Sequence, residues 1–171
     1  MKKTFSMMSL AAILLPVIVI ASTDLAGHEL AGADLDLAGN ANHRAAVSQH
    51  GNYNTATVEQ FGAINRATIN QQGISNIGNI AQHGRGHSAA LSQQGTENMA
   101  VIIQSGANNM AWASQSGYRN QADISQSGSG NAAEVLQSGT GNRASIQQSG
   151  NGLQGMIQMY GNNQYASMNQ R

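Results

Sequence analysis

Gln60-Phe61-Gly62-Ala63-Ile64-Asn65-Arg66-Ala67-Thr68-Ile69-Asn70-Gln71 contains one full period of this chain and the start of the next. A Gly follows two residues after the Gln, an Asn three after the Gly, an Ala two further on and an aliphatic two beyond that. The unit N-x-A-x-(I/V/L)-x-Q-x-G-x-x repeats every eleven residues. Its Gln column is Gln49, Gln60, Gln71, Gln82, Gln93, Gln104, Gln115, Gln126, Gln137, Gln148 and Gln170, with Met159 the only different occupant. The Gly column has no exception: Gly51, Gly62, Gly73, Gly84, Gly95, Gly106, Gly117, Gly128, Gly139, Gly150 and Gly161. The Asn column holds Asn54, Asn65, Asn76, Asn98, Asn109, Asn120, Asn131 and Asn142, and the aliphatic column Val47, Val58, Ile69, Ile80, Leu91, Ile102, Ile124, Val135, Ile146 and Ile157.

Eleven residues also make three turns of nearly ideal helix, the period of a right-handed helical coil. The apolar spacing decides against it. Ala56 and Val58, Ala67 and Ile69, Ala100 and Ile102, and Ala122 and Ile124 stand two apart, as on one face of a strand, not three and four apart. A Gly in every unit would also weaken a helix by about 1 kcal/mol per copy relative to Ala. In a strand, Asn54, Ala56, Val58 and Gln60 share one face, and Thr55, Thr57 and Glu59 the other.

Because eleven is odd, one continuous strand would turn the next Ala to the opposite face. The register survives only if x-Gly-x-x reverses the chain and resets the parity. Gly takes positive φ at such a corner, and the neighbouring Asn tolerates turn geometry while bonding local backbone. One unit has too little apolar surface to stand alone, so units must stack. Two of them, twenty-two residues, make a coil of two facing strands, and the twelve units from His43 to Arg171 make six coils. The expected fold is all-β, a two-sheet cross-β solenoid, with Gln and Asn amides bonded along the stack as ladders.

Met1 to Ala21 carries Lys2 and Lys3, an apolar run from Met7 to Ile20, and Val19-x-Ala21 before a cut at Ser22, the pattern of a secretory signal. Residues 22–42 contain Asp24, Glu29, Asp34 and Asp36 without the eleven-residue spacing, and read as a flexible leader. The chain has no Cys, so neither disulfides nor thiol chemistry contribute. Both Lys lie in the signal, leaving six Arg against eight acidic residues in the exported chain, and six against four from His43 onward. Sparse charge and abundant Gln, Asn, Ser and Gly suggest disorder until the period is seen. With strict alternation, the same composition suits a cross-β stack. Such a stack ends in unpaired strand edges, which soluble proteins guard with Lys, Pro or bulges. The repeats have no Lys and no Pro. Their open edges read as surfaces that accept another coil by strand addition.

Catalytic and metal chemistry are not expected, and no cofactor is implied. His43, His50, His83 and His87 make no His-Glu-x-x-His arrangement, and His83 and His87 read as turn residues. Asp24, Asp34, Asp36 and Glu59 suggest no acid and base pair, and the serines lie in no Gly-x-Ser-x-Gly elbow.

The run from Gln60 to Gln71 resembles the curlin motif Q-x-G-x-x-N-x-A-x-x-x-Q, and the resemblance extends from residue 43 to the last residue. It implies a bacterial extracellular functional amyloid, secreted unfolded through an outer-membrane pore with accessory factors and assembled at the cell surface into biofilm fibres. Its partners would be other curlin subunits and the cell surface, with no specific nucleic acid. Within curlins a major subunit forms most of the fibre and a minor one nucleates it. In the major type Ser tends to open alternate strands, whereas Asn opens most strands here. The ending Met168-Asn169-Gln170-Arg171 and the mildly basic repeats are similar to the minor type. The minor, nucleating subunit is therefore favoured, with the major subunit as alternative. A monomeric β-solenoid binding ice or polysaccharide is a second alternative. It wants a regular outward row, which Thr55, Thr57 and Thr68 do not make.

Two further regions stand out. Leu153 replaces Asn, Gly155 replaces Ala, Met159 replaces Gln and Gln164 replaces Asn, so the last coil, through Arg171, is expected to stack less well and to serve as a surface-anchoring region. Ile77, Met99, Val101 and Ile103, with Met110 and Trp112 on the facing sheet, form an expected outward apolar patch suited to lateral contacts.

Overall fold

Alternation of small and aliphatic residues with polar ones builds strands that bury one face each, and the computed structural model, which describes residues 17–22 and 42–171, consists of thirteen of them. They are β1 (Val17–Ser22), β2 (Arg44–Asn52), β3 (Thr55–Ala63), β4 (Arg66–Ile74), β5 (Ile77–Arg85), β6 (Ser88–Thr96), β7 (Met99–Ala107), β8 (Met110–Tyr118), β9 (Gln121–Ser129), β10 (Ala132–Thr140), β11 (Arg143–Asn151), β12 (Gln154–Asn162) and β13 (Tyr165–Gln170). Even-numbered strands form one sheet, in the order β12-β10-β8-β6-β4-β2, and odd-numbered strands the other, β1-β3-β5-β7-β9-β11-β13. The chain thus crosses from sheet to sheet at every corner. Each strand from β2 onward pairs in parallel with the strand one coil away, in a register that sets like on like: Arg44 on Arg66, Ala45 on Ala67, Gln49 on Gln71, Gly51 on Gly73. The fold is the expected two-sheet solenoid of six coils.

The core lies between the sheets. The Ala column and the aliphatic column are buried from Ala45 to Ile157, and Ala113 takes an aliphatic place between Leu91 and Val135. Two glycines occupy Ala places, and both face a bulkier side chain across the sandwich. A Cβ on Gly78 would meet Leu91 Cδ2 at 2.6 Å, and one on Gly155 would meet Met168 Sδ at 2.7 Å. Gly155 is therefore complementary packing for Met168 rather than the misfit expected from sequence.

The corners differ from expectation in detail. The Gly column does take positive φ, as at Gly62 (φ 105°), but Gly62 lies inside β3. The corner itself is the residue two places later, a second positive-φ column that includes Tyr53, Ile64 (φ 59°), Ser75, Glu97, Asn108, Arg119 and Asn163. The buried Asn that follows does not adopt positive φ; it holds the corner through its amide. Stacking adds a second demand on Gly, because a Cβ on Gly106 would run into the carbonyl oxygen of Gly128 in the next layer. Hydrogen bonds such as Thr55 N–H to Asn76 O (2.8 Å) and Ser75 N–H to Asn52 O (3.0 Å) carry the backbone ladder through the corners.

The secretory reading of residues 1–21 and the leader of residues 22–42 fall outside the described residues except at β1 and Asn42. β1 pairs antiparallel with β3, from Val17 on Gln60 to Ser22 on Thr55, in contrast to every other pairing.

Candidate functional site

The Gln side chains project into the sandwich, where burial makes an unpaired amide costly and a continuous chain of amides favourable. In the six-stranded sheet Gln49 Nε2 donates to Gln71 Oε1 (2.6 Å), Gln71 to Gln93 (2.7 Å), Gln93 to Gln115 (2.8 Å) and Gln115 to Gln137 (2.9 Å). In the other sheet Gln60, Gln82, Gln104, Gln126 and Gln148 each donate in the same sense, ending at Gln170. The second amide hydrogen reaches the facing strand, as from Gln104 to Ser88 O (3.2 Å), so the same side chain ties layer to layer and sheet to sheet.

The ladder has a direction. Every Gln donates toward higher residue numbers, so the β2 and β3 end displays acceptors and the far end donors. Gln49 Oε1 and Gln60 Oε1, both buried, have no hydrogen-bond partner among the described residues. At the far end the two sheets part company. Gln170 continues one column, whereas in the other Gln137 Nε2 meets Met159 Sδ at 3.6 Å, and Met159 has no proton to hand on.

The Asn column works differently. Asn54 Oδ1 accepts from both the backbone N–H (3.0 Å) and the amide (3.1 Å) of Asn76, while Asn54 Nδ2 donates to Gly73 O (2.9 Å). Each Asn therefore clamps a corner to the layer beyond. His87, expected as a turn residue, is buried in this column instead: its backbone N–H donates to Asn65 Oδ1 (3.0 Å), and its Nδ1 accepts from Asn109 N–H (3.3 Å). His43 accepts from Asn65 N–H in the same way (3.4 Å). Burial holds the His87 imidazole below the usual histidine range; backbone hydrogen bonds at His83 and Gly106 oppose the shift, and the charge of His83 adds to it. His83 stacks on Phe61 with ring centroids 4.8 Å apart. Among the described residues no three His, Cys, Asp or Glu gather as a metal site.

In the last coil, Leu153 still uses its backbone N–H toward Asn131 Oδ1 (3.0 Å) but has no side-chain acceptor, and Gln164 turns its amide back to Tyr160 O (2.9 Å). Met159 is buried and Arg171 exposed. On the outer faces Ile77 sits on Met99, and Ile77, Met99 and Ile103 are exposed while Val101 is half-buried. Trp112 and Met110 are exposed on the opposite sheet, joined by Met156, which the sequence reading did not single out. Trp112 and Met156 flank Glu134 in one column and line a shallow groove with it. The offset from Trp112 to Glu134 to Met156 is twenty-two residues, so the column is visible only when the eleven-residue units are taken in pairs.

The curlin associated repeat matches the chain in five stretches, residues 38–73, 75–106, 90–117, 106–139 and 117–150, which together leave out only Ile74 between residues 38 and 150. No curated protein and no solved structure matches it. With the repeat covering most of the chain and its Gln, Asn and Gly columns aligned through the stack, the protein belongs to the curlin family of structural repeats that build curli subunits.

Proposed function

We propose that this chain is the minor curli subunit, which nucleates fibre growth at the bacterial surface for adhesion and biofilm formation. Its regular coils serve as the template for other curlin chains, and residues 153–171 hold it to the surface or to an accessory factor of the secretion pore. The observation behind this reading is the contrast within one solenoid: the amide ladder is unbroken through β2–β11 and is interrupted at Met159, where a bulk fibre subunit would need continuity at both ends. Export through the signal of residues 1–21, unfolded passage and extracellular deposition belong to the same reading. The outward cluster Ile77, Met99, Val101 and Ile103 serves lateral contacts in it, so changing Met99, Val101 and Ile103 to Thr reduces bundling seen by electron microscopy without slowing elongation.

The test adds substoichiometric chain to a fresh major-type curlin and times the lag in thioflavin fluorescence. Sharp shortening is expected, together with loss of surface retention but not of seeding when residues 153–171 are deleted. Efficient growth of this chain alone into long fibres as the bulk product would assign it to the major type. A stable monomer that neither seeds nor assembles would make it a solenoid binding module.

A further inference from the structure

The two buried acceptors at one end of the stack and the broken column at the other give the solenoid a polarity. We infer that growth starts at the β2 and β3 end, and that this end selects a curlin chain other than a copy of itself. This rests on the nucleating reading and adds to it which end templates and what the partner's last coil must carry.

Within the stack each Gln oxygen is satisfied by an amide from the layer on its low-number side, as Gln71 Oε1 is by Gln49 Nε2 and Gln82 Oε1 by Gln60 Nε2. Gln49 and Gln60 stand in the first layer, both nine-tenths or more buried, with their oxygens unpartnered. A buried amide oxygen without a donor carries a desolvation penalty that an incoming layer removes when it supplies one. The layer that fits is the high-number end of another curlin coil stack, with Gln in both columns and each Nε2 pointing onward. Added that way, the new strands extend both sheets in the parallel register found throughout.

A second copy of this chain meets the requirement in one column only. Its Gln170 lies over Gln60 and donates, but its Met159 lies over Gln49 and has nothing to donate. Self-stacking therefore leaves Gln49 Oε1 buried and unpaired, whereas a chain with Gln in both places satisfies it. Discrimination arises here from an unpaired polar group in the wrong complex rather than from extra attraction in the right one. The edge is competent to take a strand, because β1 already lies on β3, although antiparallel and only on that sheet. Val17, opposite Gln60, is a residue type without an amide, and a cut ahead of Ser22 leaves most of that edge bare.

The experiment compares self-seeded elongation of the exported chain with that of Met159→Gln, Gln49→Met and the double variant, using thioflavin fluorescence and electron microscopy. Met159→Gln should speed self-elongation by about tenfold or more, the consequence of one satisfied buried amide. Adding Gln49→Met should cancel that gain, because the acceptor is then absent. Gln49→Met alone should also weaken seeding of a curlin that has Gln in both last-coil columns, while Gln170→Leu should leave that seeding unchanged. The inference is overturned when Met159→Gln leaves self-elongation at the wild-type rate, or when Gln170→Leu abolishes heterologous seeding and Gln49→Met does not. Met159→Gln acts at the end away from the template, so folding failure of Gln49→Met still leaves a decisive result. Should wild type seed no other curlin while Met159→Gln still accelerates self-growth, the nucleating role fails and the end assignment stands.

Discussion

In the four coils from β4 to β11 each strand has a repeat strand on both sides, whereas the sixth coil, β12 with β13, borders the stack on its low-number side only. Gly106 could not carry a Cβ without striking Gly128 O, but a Cβ on Gly161 would find nothing nearer than Gln164 Nε2 at 3.4 Å. Gln104 both accepts and donates along its column, while Met159 takes the end of a chain that stops there. The repeat thus records the demands of vertical neighbours more than those of a single coil. Where the layer on the high-number side is absent, the consensus is free to drift.

Valine at Gly106 against valine at Gly161 should show that difference most strongly. Gly106→Val combines a backbone collision with a side chain at φ 102°, and is expected to cost more than about 4 kcal/mol and to break the stack in two. Gly161→Val meets only the positive φ, and should cost about 1–3 kcal/mol. Denaturant midpoints followed by far-UV circular dichroism make the comparison, and equal losses would mean that conformation, not stacking, fixes the Gly column.

Leucine in the Gln column separates the regions next. Gln104→Leu strands Gln126 Oε1 and one hydrogen of Gln82 Nε2 in the core and should cost about 2–4 kcal/mol. Met159→Leu keeps an apolar group of similar volume where the ladder has already stopped, with an expected cost below about 1.5 kcal/mol. The same denaturation measurement decides it; a larger loss at Met159 would show that its sulfur contributes more than space filling.

His87 offers an interior contrast that depends on pH. Its folded-state pKa lies below the ordinary 6.5, so above that value both states are neutral and the burial is free of penalty. As pH falls through about 6.5 the unfolded chain takes up the proton first, and stability declines until the folded-state pKa is passed. His87→Asn restores the residue found in most other corners and should flatten the decline in stability between pH 7 and pH 5. Parallel pH curves for wild type and variant would place the titration elsewhere.

Much of this architecture is legible in the sequence because period two inside period eleven admits few folds, and because Gln, Asn and Gly each have a physical reason to recur. Other features are hidden for equally physical reasons. The second positive-φ column mixes Asn42, Gly86, Asn108, Gly130, Gly141, Gly152 and Asn163 with Tyr53, Ile64, Ser75, Glu97 and Arg119, so its left-handed signal is diluted by residues with no shared chemistry. His43 and His87 look like turn residues by type and are ladder members by position. The pairing of Gly155 with Met168 needs the facing of the two sheets, and the direction of the amide ladder needs hydrogen-bond geometry, neither of which a column of letters contains.

The smallest expected effect lies at that hidden column and has opposite signs in the two regions. Ile64 holds φ at 59° although β-branched, in a place where Gly152, at the corner leading into the last coil, sits at 67°. Its side chain is 47% exposed, so little burial opposes replacement. Left-handed geometry costs a non-glycine residue about 1–2 kcal/mol, and glycine gives back about 0.5–1 kcal/mol through the greater freedom of the unfolded chain. Ile64→Gly should therefore stabilise the solenoid by about 0.5–1 kcal/mol, and Gly152→Ile should destabilise it by a similar amount. Because Gly152 has open space around its missing Cβ, no steric clash confounds the second variant. Shifts of the same sign in the two denaturation midpoints would show that the corner, rather than φ, responds to the side chain.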